Sequence, residues 1–179
     1  MILVLVVAVA FGALNALLDS APGPLHPAGL VLNAGFAWAG LAVLAGALLR
    51  TPARAAVGGW LSGTAGLACF YVVDAAVRDV PLTASAARFP FWAAAALVCC
   101  PLLGLVGTRV RGAGIDGLLA RLVVPVGALA EVLLHPPGGA AVRWGVGLAA
   151  VGAGAVLLRR WRPAASGRSP HRPPPPPRR

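Results

Sequence analysis

The sequence predicts an all-α fold: a six-helix transmembrane bundle with short loops and a disordered, basic, Pro-rich C-terminal tail. Three observations predict it. Six apolar stretches succeed one another along the chain, each near the roughly 20 residues that a helix needs to cross a hydrocarbon core. Charged residues make up 11% of 179 residues and hydrophobic ones 59%, with a mean hydropathy of +0.83. That charge content is less than half of what a soluble domain of this size spreads over its surface, so the apolar surface needs lipid. Finally, the arginines of the loops sort to alternate sides, as they do in multi-pass proteins.

The elements follow in order. The first run, 2–18, lacks a basic segment before it and is long enough to span, so it reads as a retained helix rather than a signal peptide with cleavage near Ala8–Ala10. Its abrupt opening fits a start codon upstream. The loop Asp19–Gly29 holds three prolines and is expected to interrupt helix. The second run, 30–49, ends at RTPAR and the third covers 55–77. The loop Arg78–Arg88 precedes the fourth run, 89–108. RVRGAGIDG, containing Asp116, leads to the fifth, 118–134, and HPPGGAAVR to the sixth, 142–158. Pro101 and Pro125 remove backbone donors inside the fourth and fifth and are expected to kink them. Residues 1–158 thus form one transmembrane domain. The remainder, 159–179, is too poor in apolar residues to offset the entropy of ordering. It reads as a disordered cytoplasmic tail.

The net charge of +10 suggests nucleic acid until its placement is considered. Seven of the fifteen arginines lie in the last 21 residues, most others flank apolar runs, and there is no lysine. An Arg-, Ala- and Gly-rich composition without lysine is that of a GC-rich coding sequence and carries no functional weight. Loops after the second and fourth runs hold Arg50, Arg54, Arg109 and Arg111, and Arg121 can snorkel back to the same side. The other side has Arg78, Arg88 and Arg143, offset by Asp79. Excess arginine marks the cytoplasmic face. Both termini are therefore expected inside, in a bacterial plasma membrane. Arg159, Arg160 and Arg162 would meet anionic lipid head groups there, each contributing about 1 kcal/mol. The tryptophans agree except Trp38, which fits neither interfacial belt.

An ionisable group at membrane depth costs roughly 2.5–3.5 kcal/mol on insertion scales and needs a reason. Asp74 lies near the outer end of the third run. Glu131 lies deeper, on the order of 10 Å below the outer boundary at the helical rise per residue. Asn15, Asp19, Asn33, Tyr71 and His135 map by the same counting to the outer half. A carboxyl at the depth of Glu131 must be neutral, paired or a carrier of protons. The structural reading pairs Asp74 with Arg78 one turn on and lets Glu131 reach Arg143 or an asparagine amide. The functional reading joins Asn33, Asp74 and Glu131 in a ligand or ion site.

Catalytic patterns are weak. GWLSG at 59–63 places Trp60 where the serine motif of intramembrane proteases needs glycine, and Ser62 is expected at the opposite face from His135. No metal-ligand spacing or phosphate loop appears, so no cofactor or metal is expected. Cys69, Cys99 and Cys100 read as small buried hydrophobes. Gly59 with Gly63, Gly145 with Ala149, and Ala150 with Gly154 are small pairs at four-residue spacing, read as packing faces within the chain.

The order of features resembles a family of small, functionally uncharacterised multi-pass membrane proteins from high-GC Gram-positive bacteria. Those features are the Pro-rich first loop with Asn33 after it, ALLRTPARAA, FYVVDA, FWAAAALVCCPLLGLVG and the acid in ALAEVLL, over residues 10–160. The resemblance implies an integral membrane protein and supplies no mechanism. It matches at Asn33, Tyr71, Asp74, Trp92, Pro101, Gly104 and Glu131; the polar tail departs from it. The leading expectation is a non-enzymatic integral membrane protein whose specific task the sequence does not name. The alternatives are a small transporter or permease with an outward polar pocket around Glu131 and Asp74, and an embedded enzyme acting on a lipid-linked substrate. The bilayer, and an unidentified membrane protein, are the partners this leaves.

Overall fold

A computed structural model describes residues 1–134 and 138–161, all helices, turns and loops with no strand among them. His135, Arg162 and the expected tail from 162 onward lie outside the described residues. The helices are α1 (Ile2–Asp19), α2 (His26–Leu32), α3 (Gly35–Leu49), α4 (Pro52–Val77), the short α5 (Leu82–Ser85), α6 (Phe89–Gly107), α7 (Ile115–Leu134) and α8 (Ala140–Arg160). Single 3-10 turns precede α2 and α6.

Prolines set several starts. Pro27, Pro52 and Pro90 occupy first-turn positions of α2, α4 and α6, where a missing N–H costs nothing and the fixed φ favours entry into a helix. For that reason the loop Asp19–Gly29, which interrupts continuous helix as expected, already contains the start of α2. Asp116, expected in a loop, sits in the first turn of α7, where a carboxylate faces the positive end of the helix dipole. Arg159 and Arg160, assigned to the tail, instead close the last turn of α8, where cations are favoured. Pro101 and Pro125 lie inside α6 and α7, and both helices continue through them.

Helix α4 is the centre. Gly59, Ser62, Gly63, Gly66, Leu67, Phe70 and Asp74 are all buried, because α1, α3 and α6 surround it. Small residues let the backbones touch. Ala8, Gly12 and Ala16 form the buried stripe of α1, and a Cβ on Gly12 would strike the Gly66 carbonyl. Gly46 of α3 and Gly59 of α4 both press on α6 near Gly104, whose own missing Cβ would strike the Ala55 carbonyl. In lipid, where tails are as apolar as leucine, close van der Waals contact of this kind drives helix association. Of the three small pairs, Gly59 with Gly63 and Ala150 with Gly154 are used inside the chain: Gly63 faces Cys100, Ala150 is buried and Gly154 approaches Leu122. Gly145 corrects the expectation, since its missing side chain would meet open space. Cys99 is a second correction: it is exposed, and only Cys100 of the three is buried.

Trp38 fits no interfacial belt because it packs inside. Phe11, Trp38, Phe70, Tyr71 and Phe89 form a row of edge-to-face rings from α1 through α3 and α4 to α6, with centroids 5.1, 6.4, 5.3 and 6.0 Å apart. Such pairs add roughly 0.5–1.5 kcal/mol each beyond their burial. The α7–α8 hairpin stands outside this core, α7 against α3 and α8 chiefly against α7.

Five helices are long and apolar enough to cross a membrane: α1, α4, α5 with α6 as Leu82–Gly107, α7 and α8. The second apolar run, expected as one helix over 30–49, is not continuous. Gly23–Leu32 and Gly35–Leu49 meet at 57°. Helix α2 ends at Leu32, and Ala34 turns extended at φ −69°, ψ 146° before α3 begins. No proline marks the break. Its cause lies in groups that other helices bring to it.

Candidate functional site

A helix start leaves its first amides without partners, and a side-chain oxygen at the preceding residue ordinarily takes one. Helix α3 is preceded by alanine, which has none to offer. Glu131 of α7 fills that role from across the bundle. Its Oε1 accepts from the Gly35 N–H at 2.9 Å and its Oε2 from the Phe36 N–H at 3.0 Å. A carboxylate divided between two amides at a positive helix end is a charge-assisted arrangement, and only the ionised group offers both oxygens as acceptors. Gly35 is suited to the position, since a Cβ there would lie 3.3 Å from Oε2. Glu131 thus reaches neither Arg143 nor an asparagine amide, the partners expected from sequence; the backbone claims it.

The other lip of the break is held from α1. Asn15 is fully buried and donates through Nδ2 to the Leu32 carbonyl at 2.9 Å. That carbonyl is the last of α2, one that no later turn of helix satisfies. The Asn15 Oδ1, equally buried, has no hydrogen-bond partner. Asn33, between the two lips, is exposed and makes a long contact from Nδ2 to Asp19 Oδ1 at 3.4 Å.

Asp19 leads to a second cluster. Arg78 bridges two carboxylates, with Nε on Asp74 Oδ1 at 2.5 Å and a terminal nitrogen on Asp19 Oδ2 at 3.0 Å. The hydrogen bond to Asp74, above all other influences, raises the Arg78 guanidinium beyond its ordinary range, so it stays charged. The Ser85 hydroxyl of α5 donates to Asp74 Oδ2 at 2.7 Å and lies 3.3 Å from the Tyr71 carbonyl. The i, i+4 spacing that predicts the Asp74–Arg78 pair is realised, with the addition of Asp19 and Ser85 as partners.

At the opposite end of α7, Arg121 donates from Nε to the Val110 carbonyl at 2.6 Å and from a terminal nitrogen to the Gly112 carbonyl at 2.8 Å. These carbonyls follow the end of α6, the negative end of its dipole. The backward reach expected of Arg121 is therefore found, with carbonyls as its targets. Arg109 pairs with Asp116 at 3.3 Å beside it.

Asn33, Asp74 and Glu131 are thus not brought to one point. Asn33 connects to Asp74 through Asp19 and Arg78; Glu131 binds two and three residues past Asn33. What relates them is the broken segment 32–35. Asn15 and Gly35 are the members that sequence reasoning did not place in the site, although an asparagine within a purely apolar run was a signal. Ser62 donates to the Gly59 carbonyl of its own helix at 2.8 Å, and His135, expected at the opposite face from it, lies outside the described residues. Among the described residues no group of three His, Cys, Asp or Glu is spaced to hold a metal. No family model, curated protein or solved structure matches the chain.

Proposed function

We propose that this chain is a non-enzymatic, multi-pass protein of the bacterial plasma membrane that acts as a small permease. In this reading it has six crossings, with α2 and α3 together forming the second, and both termini are cytoplasmic. The observation that carries it is the break at 32–35 with Glu131 seated on the α3 half-helix. Irregular backbone within an apolar span is tolerated where protein groups satisfy it, and discontinuous helices whose ends are met by polar groups are the common substrate-side device of secondary transporters. Asn33, Asp74 and Glu131 would line the outward side of the pathway, closed in this conformation because each is held by another partner within the chain. Kinship with the uncharacterised high-GC Gram-positive family is part of the same proposal. So is contact of Arg159, Arg160 and Arg162 with anionic head groups.

A second reading is favoured by one specific observation: each candidate side chain already has a partner within the chain. On that reading the polar groups only fasten helices, and the protein is a scaffold for another membrane protein. Proteoliposomes loaded with a pH-sensitive dye distinguish the two. Given an inward gradient of a defined mixture of amino acids and organic acids, the permease acidifies or alkalises the lumen and the Glu131→Gln variant does not. Equal traces from wild type, Glu131→Gln and protein-free vesicles would remove the permease reading.

A further inference from the structure

Helix α7 is fastened at both ends by the same kind of contact with opposite sign. Near its C-terminal end an anion, Glu131, sits on the amides that open α3; near its N-terminal end a cation, Arg121, sits on the carbonyls that follow α6. Ten residues of helix, about 15 Å, separate the two. Beyond these clamps, α7 packs on the core mainly through α3, and α8 follows α7. The clamps differ in one chemical respect. A guanidinium keeps its proton at every physiological pH, whereas a carboxylate that takes up a proton converts one acceptor oxygen into a donor. A protonated Glu131 cannot serve both the Gly35 and Phe36 amides.

We propose that Glu131 is a proton-operated latch: protonation releases the start of α3 and frees the outer end of the α7–α8 hairpin, which then pivots about the Arg121 clamp. The surroundings suit a latch operated by a single group. Helix α3 carries no charged or titratable residue between Gly35 and Leu49. Helix α8 brings Arg143 to this end, α2 brings His26, and Asn33 leads to Asp19, Arg78 and Asp74. Among the described residues none of these bonds Glu131, whose hydrogen-bond partners are the two amides. Release also strips α3 of the negative charge at its positive end, and Ala34 supplies no substitute. The use of this motion as a transport step rests on the permease reading; the latch itself does not.

Glu131 is the only glutamate in the chain, so a carbon-13 label at the glutamate δ position reports it alone. The full chain in lipid nanodiscs is titrated with acid while that signal and the amide exchange protection at Gly35 and Phe36 are followed together. The expected result is one shared midpoint, with protection falling at least about tenfold, the order expected when bonds to a charged group are lost. Amides around residues 110–112 stay unchanged. Glu131→Gln, which like the protonated acid keeps one acceptor, shows at every pH the low protection that wild type reaches in acid, and Asp74→Asn keeps the shared midpoint. The proposal is overturned if protection does not follow the Glu131 signal, or if a folded Glu131→Gln is as protected as wild type. Should that variant fail to fold, the wild-type titration decides alone. A shared midpoint without solute flux would keep the latch and remove the permease, and flux without it the reverse.

Discussion

Gly104→Ala tests how the core is held together. Gly104 lies where three helices converge, and an added Cβ would strike the Ala55 carbonyl and come within 3.3 Å of the Gly59 Cα. On the α3 side, Gly46 already approaches the Gly104 backbone closely enough that its own Cβ would collide there. Each atom struck belongs to backbone, so no side chain can rotate away and the helices must separate. Overpacking of a close-packed interior costs roughly 1–3 kcal/mol. With backbone on every side the upper end applies, about 3 kcal/mol, equivalent to a shift of about a hundredfold in the unfolding equilibrium. Gly145→Ala supplies the control. Nothing lies within 4 Å of a Cβ at Gly145, and alanine gains up to about 1 kcal/mol over glycine inside a helix. Unfolding by sodium dodecyl sulfate in bicelles, followed by the fluorescence of the partly buried Trp38 with the other tryptophans replaced by phenylalanine, reads both variants on one scale. The reasoning is refuted if Gly145→Ala loses as much stability as Gly104→Ala, or if Gly104→Ala loses none.

Other consequences are checked by the same unfolding assay or by labelling. Glu131→Gln retains one acceptor for two amides and loses the charge, so it should cost about 1.5 kcal/mol, the low end for bonds to a charged group because the site is only half buried. Arg78→Ala leaves Asp19 and Asp74 facing each other without a cation. Since Arg78 is 47% exposed, solvent screening limits the loss to about 1–2 kcal/mol; adding Asp74→Asn should recover part of it, whereas a purely additive double variant would disprove the coupling. In the otherwise natural sequence, with unfolding followed by far-ultraviolet circular dichroism, Trp38→Ala removes an inner ring of the aromatic row and should cost about 3 kcal/mol, well beyond Trp92→Ala at an exposed position. With Cys69, Cys99 and Cys100 replaced by alanine, a cysteine at Ala21 should react with an impermeant maleimide from outside intact cells; reaction only after permeabilisation would invert the proposed orientation.

How much of this was legible follows from what each signal measures. Apolar length and arginine placement report on burial and on the membrane faces, so the long helices, their approximate ends and the backward reach of Arg121 could be read. The Asp74–Arg78 pair was legible because i, i+4 spacing is local. The break at 32–35 was not. Its sequence, LNAG, contains no proline, and what stabilises the extended Ala34 are Asn15 and Glu131, 17 and 96 positions from the backbone atoms they bind. Contacts of that kind leave no periodicity. A sequence can show that Glu131 needs a partner, but two backbone amides are present at every residue and identify themselves only in three dimensions. Trp38 failed the belt pattern for a related reason: an aromatic row inside a bundle is assembled from four helices and has no spacing of its own. The idle Gly145 shows the converse, a local pattern that matches a packing face without a helix opposite it.

The contact between Glu131 and the start of α3 carries the account, and isotope labelling can observe it directly. Gly35–Phe36 is the only Gly-Phe step in the chain and Glu131 the only glutamate. A sample carrying carbonyl-labelled glycine, nitrogen-15 phenylalanine and δ-labelled glutamate therefore isolates one amide and one carboxyl. Solid-state dipolar recoupling in lipid at neutral pH should detect the Glu131 δ carbon beside the Phe36 nitrogen, as a 3.0 Å hydrogen bond requires. A folded sample in which that nitrogen shows no coupling to the carboxyl would contradict the account.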